Sequence, residues 1–257
     1  MSTLLLLPEP MAFSPLAITL DLDDTLWPIA PVIHQAERVL NHWLAEHAPA
    51  TAAMFPVPLM RQLRRRVGER ETALAHDLGA LRRITLQEAL HAAGEDPGLA
   101  EAAFDIFIAE RQKVRFFADV ASALDRLAAR WPVLGLSNGN ADLRATGLDR
   151  WLIGCVHAQD CGVAKPAVQI FEHACQRLGL PAQRVLHVGD DWHLDVLGAQ
   201  AAGMPTVWVQ RPEDAKAQAA LAAGVLNVSL SQPFSQPLPQ PHHTVPDLLA
   251  LAELLGA

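Results

Sequence analysis

Residues 16–26 read LAITLDLDDTL, an apolar run that ends in Asp21, skips one position to Asp23, and turns through Asp24 and Thr25. Carboxylates gathered at the end of a buried strand are unfavourable unless a cation or a hydrogen-bond donor meets them. The cluster therefore points to a bound cation or a reaction, and the plain alternative, an acidic turn with a Thr cap, rarely follows an apolar strand at this spacing. A second such segment is VLHVGDDWHLDVLGAQAAGM, residues 185–204. Its strand ends at Gly189, Asp190 and Asp191 follow at once, and Asp195 falls in the first turns of the next helix, where an acid also serves the helix dipole. Two acidic strand ends at one sheet edge make an oxygen-rich site suited to a hard cation such as Mg²⁺.

Two smaller signals lie between them. In LGLSNGN, residues 134–140, Ser137 and Asn138 offer a hydroxyl and a backbone N–H to an oxyanion, although Ser-Asn-Gly is also ordinary turn chemistry. In VAKPAVQIF, residues 163–171, Lys165 is one of only three lysines, with Lys113 and Lys216, in a chain that carries 17 arginines. A lysine kept there beside a proline suits a need for a compact point charge.

The elements that must position these residues follow from periodicity. After the first strand the pattern is helical for about a hundred residues, with no strand until 133–137. Val32, Ile33, Ala36, Val39, Leu40, Trp43 and Leu44 recur at the helical period; further helices are expected from Pro58 to about Leu78, from Thr85 with Glu88 as a capping box to Gly94, and after Pro97. From Asp119 helices alternate with strands at 133–137, 155–158, 185–190 and 206–209, which implies right-handed crossovers and a parallel sheet covered on both faces. The expected class is α/β, doubly wound, with an inserted helical unit at 28–116 and a core formed by 14–27 and 117–257. In such sheets ligands bind beyond the carboxyl ends of the strands. The Pro/Gln-rich stretch 231–246 reads as an extended connector, unable to form a central strand, that leads into a terminal helix within 247–257.

Composition narrows the class of function. The chain has 257 residues, of which 51% are hydrophobic, ample for a packed core. A formal net charge of −8 argues against a nucleic-acid surface, so an anionic substrate must be attracted locally. Cys155, Cys161 and Cys175 lack metal-ligand spacing and are expected as buried thiols of a cytosolic protein. LLLL at 4–7 is too short for a signal peptide or a membrane span, so a cytoplasmic protein without membrane partners is expected.

The order DLDDTL, LSNGN, AKP, GDDWHLD resembles the four motifs of the haloacid dehalogenase (HAD) superfamily, and the helical insertion resembles its C1 cap. The resemblance spans residues 14–212. It implies Asp21 as nucleophile, Asp23 as general acid and base, Ser137 as phosphate-binding hydroxyl, Lys165 as charge stabiliser and Asp190 as metal ligand, with Asp195 matching the last acid of that motif. Mg²⁺ would sit between Asp21 and Asp190, joined by the backbone carbonyl of Asp23, and offset repulsion between a carboxylate and a phosphate dianion. An alkoxide leaving group needs a proton, which Asp23 would supply; a halide needs neither proton nor metal, and the superfamily's dehalogenases lack an acid at that position.

Within the superfamily, DLDDTLWPIAPVI, HDLGALRRITLQEALHAAG, RWPVLGLSNGNADL and RVLHVGDDWHLDVLGAQAAGMPTVWV resemble bacterial phosphatases of FMN and of 5-amino-6-(5-phospho-D-ribitylamino)uracil. The similarity enters the insertion through His76, Asp77 and the Arg82 region. A small-molecule phosphate ester is the implied partner, with nucleotidase or sugar-phosphate phosphatase as alternatives on the same machinery; a 2-haloacid dehalogenase or a non-catalytic binding protein of this fold fits the four acids and lysine less well. Expected substrate contacts are Ser137, Asn138, Thr25, Trp27 and Arg82, with Trp27 either stacked on a flat ring or packed under the insertion. Arg61, Arg64, Arg65, Arg66 and Arg70 read mainly as a solvated helix face.

Overall fold

The computed structural model describes residues 14–211 and 241–257. Among them six strands form one sheet in the order β3-β2-β1-β4-β5-β6: β1 Ala17–Leu20, β2 Val133–Ser137, β3 Cys155–His157, β4 Val185–Gly189, β5 Thr206–Val209 and β6 His243–Val245. Every pairing is parallel, with Thr19 opposite Leu134 on one side and His187 on the other. The strands are nearly continuous apolar runs because helices cover both faces, as parallel sheets require. One apolar cluster, with Ile18, Leu20, Leu124, Val188 and Leu251, fills one face; another, with Leu134, Leu136, Ile170, Phe171 and Val185, fills the other. The chain steps from β1 to β2 and β3 in one direction, then returns to place β4 on β1's other side. Asp21 and Asp190 leave adjacent strands at this reversal, where doubly wound sheets form their ligand crevice.

Between β1 and β2 lie α1 Ile29–His47, α2 Pro49–Met54, α3 Val57–Arg70, α4 Leu78–Ala92 and α5 Ala100–Arg111, followed by α6 Val120–Ala128. The segment carries apolar clusters of its own, built from Leu40, Leu44, Leu86, Leu90, Phe104 and Phe107 and from Leu63, Val67 and Leu81. Two expectations from helix signals fail here. The helix expected from Pro58 to Leu78 stops at Arg70, with a separate short turn at Thr72–Leu74. The helix expected from Thr85 starts at Leu78, because the Asp77 carboxylate caps it by accepting from Ala80 N at 2.8 Å. Thr85 is buried in mid-helix, where its hydroxyl donates back to Leu81 O instead of capping.

At the other end of the chain, His243–Val245 falls in the stretch read as a connector and pairs with β5 as an edge strand. An edge position needs hydrogen bonds on one side only, which a sequence unfit for a central strand still supplies. Residues 231–240 lie outside the described residues, and helix Leu248–Leu254 follows as expected. Cys155 and Cys175 are buried free thiols, whereas Cys161 is half-buried. No helix among the described residues is long and apolar enough to cross a membrane.

Candidate active site

Asp21 and Asp23, which follow β1, are each met by a cation, and the two cations come from different parts of the chain. Asp21 is buried, and its Oδ1 accepts from Lys165 Nζ at 2.5 Å. The same ammonium donates to Asp195 Oδ1 at 2.6 Å. Asp195 is itself nearly saturated: His187 Nε2 lies 3.1 Å from Oδ1, and Asp191 N donates to Oδ2 at 3.0 Å. Thr25 Oγ1 lies 3.1 Å from both Asp21 Oδ2 and Asp190 Oδ1, so its one proton bridges two carboxylates. Oxygens of Asp21, Asp190 and Asp195 all fall within 4.8 Å of one another.

Electrostatics follow from that crowding. Burial pushes the Asp21 carboxyl well above the usual carboxylate range, and repulsion from Asp195 and Asp190 adds to it; Lys165 offsets only part. Burial acts the same way on Asp195, but Lys165 and the His187 hydrogen bond outweigh it and hold that group below the usual range. On Lys165, burial pulls down while Asp195 and Asp21 pull up more strongly, so the ammonium stays charged. His187 is kept neutral, chiefly by its burial.

Asp23 turns the other way. Both of its oxygens accept from Arg111 Nη2, at 2.8 and 2.7 Å, and Oδ1 also accepts from Trp27 Nε1 at 2.9 Å. Arg111 is the last residue of α5 and is 2% exposed; its Nε donates to Asn140 Oδ1, and its Nη1 is buried with no partner among the described residues. Gly139 is required by this approach, since a Cβ there would lie 2.5 Å from Asp23 Oδ2. Gly189 is required similarly, because a Cβ would fall 2.3 Å from the Asp195 carboxyl carbon.

The loops are held by local chemistry. Asp24 adopts the left-handed region at φ 63°, which Asp tolerates better than most residues, and its carboxylate accepts from Ile29 N at the start of α1. Arg211 is buried and donates to Thr25 O through Nε and Nη2 while its fork also meets Asp119. Asp191 Oδ1 accepts from His193 N and Leu194 N, capping the helical segment Trp192–Leu197 that carries Asp195.

The structure brings Asp21, Thr25, Lys165, Asp190 and Asp195 together. Asp23 adjoins them with its side chain directed to Arg111. Ser137 is buried at the end of β2, where its Oγ accepts from Gly139 N. The Asn138 side chain serves Lys165 rather than a ligand: Oδ1 accepts from Lys165 N at 2.8 Å and Nδ2 donates to Lys165 O at 3.0 Å. Trp27 is fully buried against Phe116, so the stacking alternative is corrected: it has no free face for a ring. Arg82 is corrected as well. Its charged neighbours are Arg64, Glu37 and Arg61, its guanidinium lies 3.5 Å above the Phe107 ring, and burial first and then Arg64 lower its pKa to about 9.

Arg111, His187, Thr19 and Arg211 escaped the sequence reading. For His187 and Thr19 there was a signal, a polar residue in the middle of a fully buried strand; for Arg111 and Arg211 there was none, because their partners are 88 and 92 residues away.

Known proteins resemble this chain in sequence and fold. Residues 15–203 match the haloacid dehalogenase-like hydrolase family, and residues 162–251 match a HAD-hydrolase-like family. Among curated relatives, the 5-amino-6-(5-phospho-D-ribitylamino)uracil phosphatase YigB of Escherichia coli is 34% identical over 202 residues, 77% of this chain and 84% of that protein. The phosphoserine phosphatase of Thermus thermophilus is 31% identical over 163 residues, 60% of this chain and 66% of the relative. Among solved structures, a 2-haloacid dehalogenase from Pseudomonas syringae superposes with a TM-score of 0.79 at 33% identity, covering 95% of this chain and 99% of that one. By its match over residues 15–203 and its likeness to named phosphatases, the chain belongs to the haloacid dehalogenase-like hydrolase family, as a phosphatase enzyme.

Proposed function

We propose that this chain hydrolyses phosphomonoesters by attack of Asp21 on phosphorus, forming an aspartyl phosphate that water then cleaves. One observation carries the reading: an acid stands at position 23 as well as 21, each held by its own cation. A displaced halide needs no proton, whereas an alkoxide does, so Asp23 has work only in ester cleavage. The likeness to a dehalogenase supplies the competing reading, and Asp23 weighs against it.

The donor set fits a hard divalent cation. Asp21 and Asp190 would hold it with carboxylate oxygens at adjacent strand ends, with the Asp23 backbone carbonyl as a further ligand; Asp195, engaged by Lys165, His187 and Asp191 N, serves in this reading to hold Lys165. Mg²⁺ bound there would offset the repulsion between Asp21 and an incoming phosphate dianion. Lys165 and Ser137 stabilise charge on the transferring oxygens, and Thr25 keeps Asp21 turned toward Asp190. Asp23 gives its proton to the departing oxygen and takes one from the hydrolytic water.

The insertion at 28–116 acts in this reading as a cap over the strand ends 14–27 and 117–257, reaching the site through Arg111. The substrate is a ribityl phosphate joined to a planar heterocycle, FMN or 5-amino-6-(5-phospho-D-ribitylamino)uracil, supported by similarity to the relative named for the latter. The test is phosphate release from FMN with and without Mg²⁺, comparing wild type with Asp21→Asn. Metal-dependent release by wild type alone is expected; undiminished release by Asp21→Asn overturns the mechanism, and halide release from 2-haloacids in its place selects the competing reading.

A further inference from the structure

Thr19 and His187 are polar residues at the centres of β1 and β4, directly opposite each other and each with 0–1% exposure. Apolar residues surround them, so both must find partners inside the sheet or forfeit solvation. Thr19 Oγ1 lies 2.9 Å from His187 Nδ1, and His187 Nε2 lies 3.1 Å from Asp195 Oδ1. An ionised carboxylate only accepts, so Nε2 carries the proton; a neutral imidazole then has only Nδ1 to accept with, and the Thr19 hydroxyl donates to it in preference to its more distant second acceptor, Leu186 O at 3.4 Å. The Phe171 ring meets the imidazole edge-on at 5.1 Å between centroids and closes the remaining space.

That chain of bonds ends on the oxygen that receives Lys165. With His187 and Lys165 on Oδ1 and Asp191 N on Oδ2, the Asp195 carboxylate has a single orientation. We propose that Thr19 and His187 are positioning residues: Thr19 anchors the His187 ring through Nδ1, His187 fixes the Asp195 carboxylate through Nε2–H, and Asp195 thereby holds the Lys165 ammonium against Asp21. The proposal deepens the phosphatase reading and rests on it for its kinetic consequence, but not for the tautomer.

Two variants separate the bonds. In His187→Gln the side-chain amide reaches the Nε2 position and still donates to Asp195; in His187→Asn it reaches only the Nδ1 position, keeping Thr19 and losing Asp195. With the Mg²⁺-loaded full chain and p-nitrophenyl phosphate, His187→Asn is expected to lose kcat by about 10–100-fold with KM little changed, while His187→Gln stays within about threefold of wild type. Thr19→Val should lower kcat by a smaller factor, and Thr19→Ser should restore it. Thermal melts accompany each variant, since a merely structural role would lower stability alike in both His187 variants without splitting their kcat.

The second measurement does not depend on turnover. Imidazole ¹⁵N shifts of wild type, with the His187 signals identified by their loss in His187→Gln, are expected to show the neutral Nε2–H form, and Thr19→Val to keep that form, since the Asp195 carboxylate still accepts from Nε2. A His187 ring protonated at Nδ1, or equal kcat for the Asn and Gln variants, overturns the proposal. Should wild type release no phosphate from any ester, the phosphatase reading fails, and the tautomer alone decides whether the Thr19–His187–Asp195 relay exists.

Discussion

Asp21 and Asp23 are two residues apart, yet they sit in opposite kinds of surroundings. Asp21 belongs to the sheet: its cation, Lys165, comes from a loop of the same core, is pinned by Asn138 through two backbone hydrogen bonds, and is almost wholly buried. Asp23 belongs partly to the helical insertion: its cation, Arg111, ends α5, and its own side chain keeps 22% exposure. The difference matches the two tasks proposed for these acids. A nucleophile benefits from rigid placement in a dry pocket, whereas a group that exchanges protons with a leaving group and then with water needs a path to both. It also ties one acid to an element that packs around its own apolar clusters, so any shift of the insertion bears on Asp23 before it bears on Asp21.

The largest expected effect is on the Asp21 side. Lys165→Met leaves two buried carboxylates facing each other without their cation, which should cost about 3–5 kcal/mol of stability and reduce turnover to background. Lys165→Arg should not rescue it, because a planar fork cannot take the place of a point charge lodged between two oxygens. Urea unfolding and phosphate release test both; a Lys165→Met protein as stable as wild type would dissolve the contrast between the two acids.

Next comes Asp23 itself. Asp23→Asn preserves shape and removes the proton, so hydrolysis of alkyl phosphates should slow by about 10²–10⁴-fold, and p-nitrophenyl phosphate, whose leaving group needs no proton, by much less. Equal losses on the two substrates would remove Asp23 from proton transfer. Arg111→Met should be milder, lowering kcat roughly tenfold and stability by about 1 kcal/mol, since solvent screens the partly exposed Asp23 that remains. Gly139→Ala would press its Cβ against the same carboxylate and against Arg111 Nη2, and should reproduce the alkyl-ester defect without the loss of the Arg111 charge.

The smallest effect is in pH dependence, and it belongs to the Asp21 side. Asp195 is held below its ordinary value, so its stabilisation is present above about pH 4 and is lost as pH falls through the folded value. Asp21 is held above its ordinary value, so its share is present below about pH 4 and is lost as pH rises through the folded value. In metal-free protein these two groups should make stability greatest near about pH 4, declining on either side. Saturating Mg²⁺, by favouring ionised Asp21, should remove the alkaline decline. Urea midpoints across that range, with and without Mg²⁺, check the sign; a metal-independent profile would place the cation elsewhere.

The sequence by itself determined the sheet and the acids it carries. Alternating apolar runs and helices yield β2 at Val133–Ser137 and β5 at Thr206–Val209 without adjustment, and Asp21, Ser137 and Asp190 stand at strand ends as their positions after those runs require. Local patterns suffice there because a buried parallel strand declares itself in a few consecutive residues. Tertiary structure decided what those patterns leave open. Trp27 became core rather than a stacking platform, Arg82 turned to Phe107 rather than to a substrate, and Asp77 rather than Thr85 began α4. Above all, the cations were assigned in three dimensions. An apolar run shows that His187 lies within a strand, but a side chain's partner depends on which residues the fold brings within about 3 Å, and Asp23 lies 88 residues from Arg111 and Thr19 168 residues from His187 along the chain.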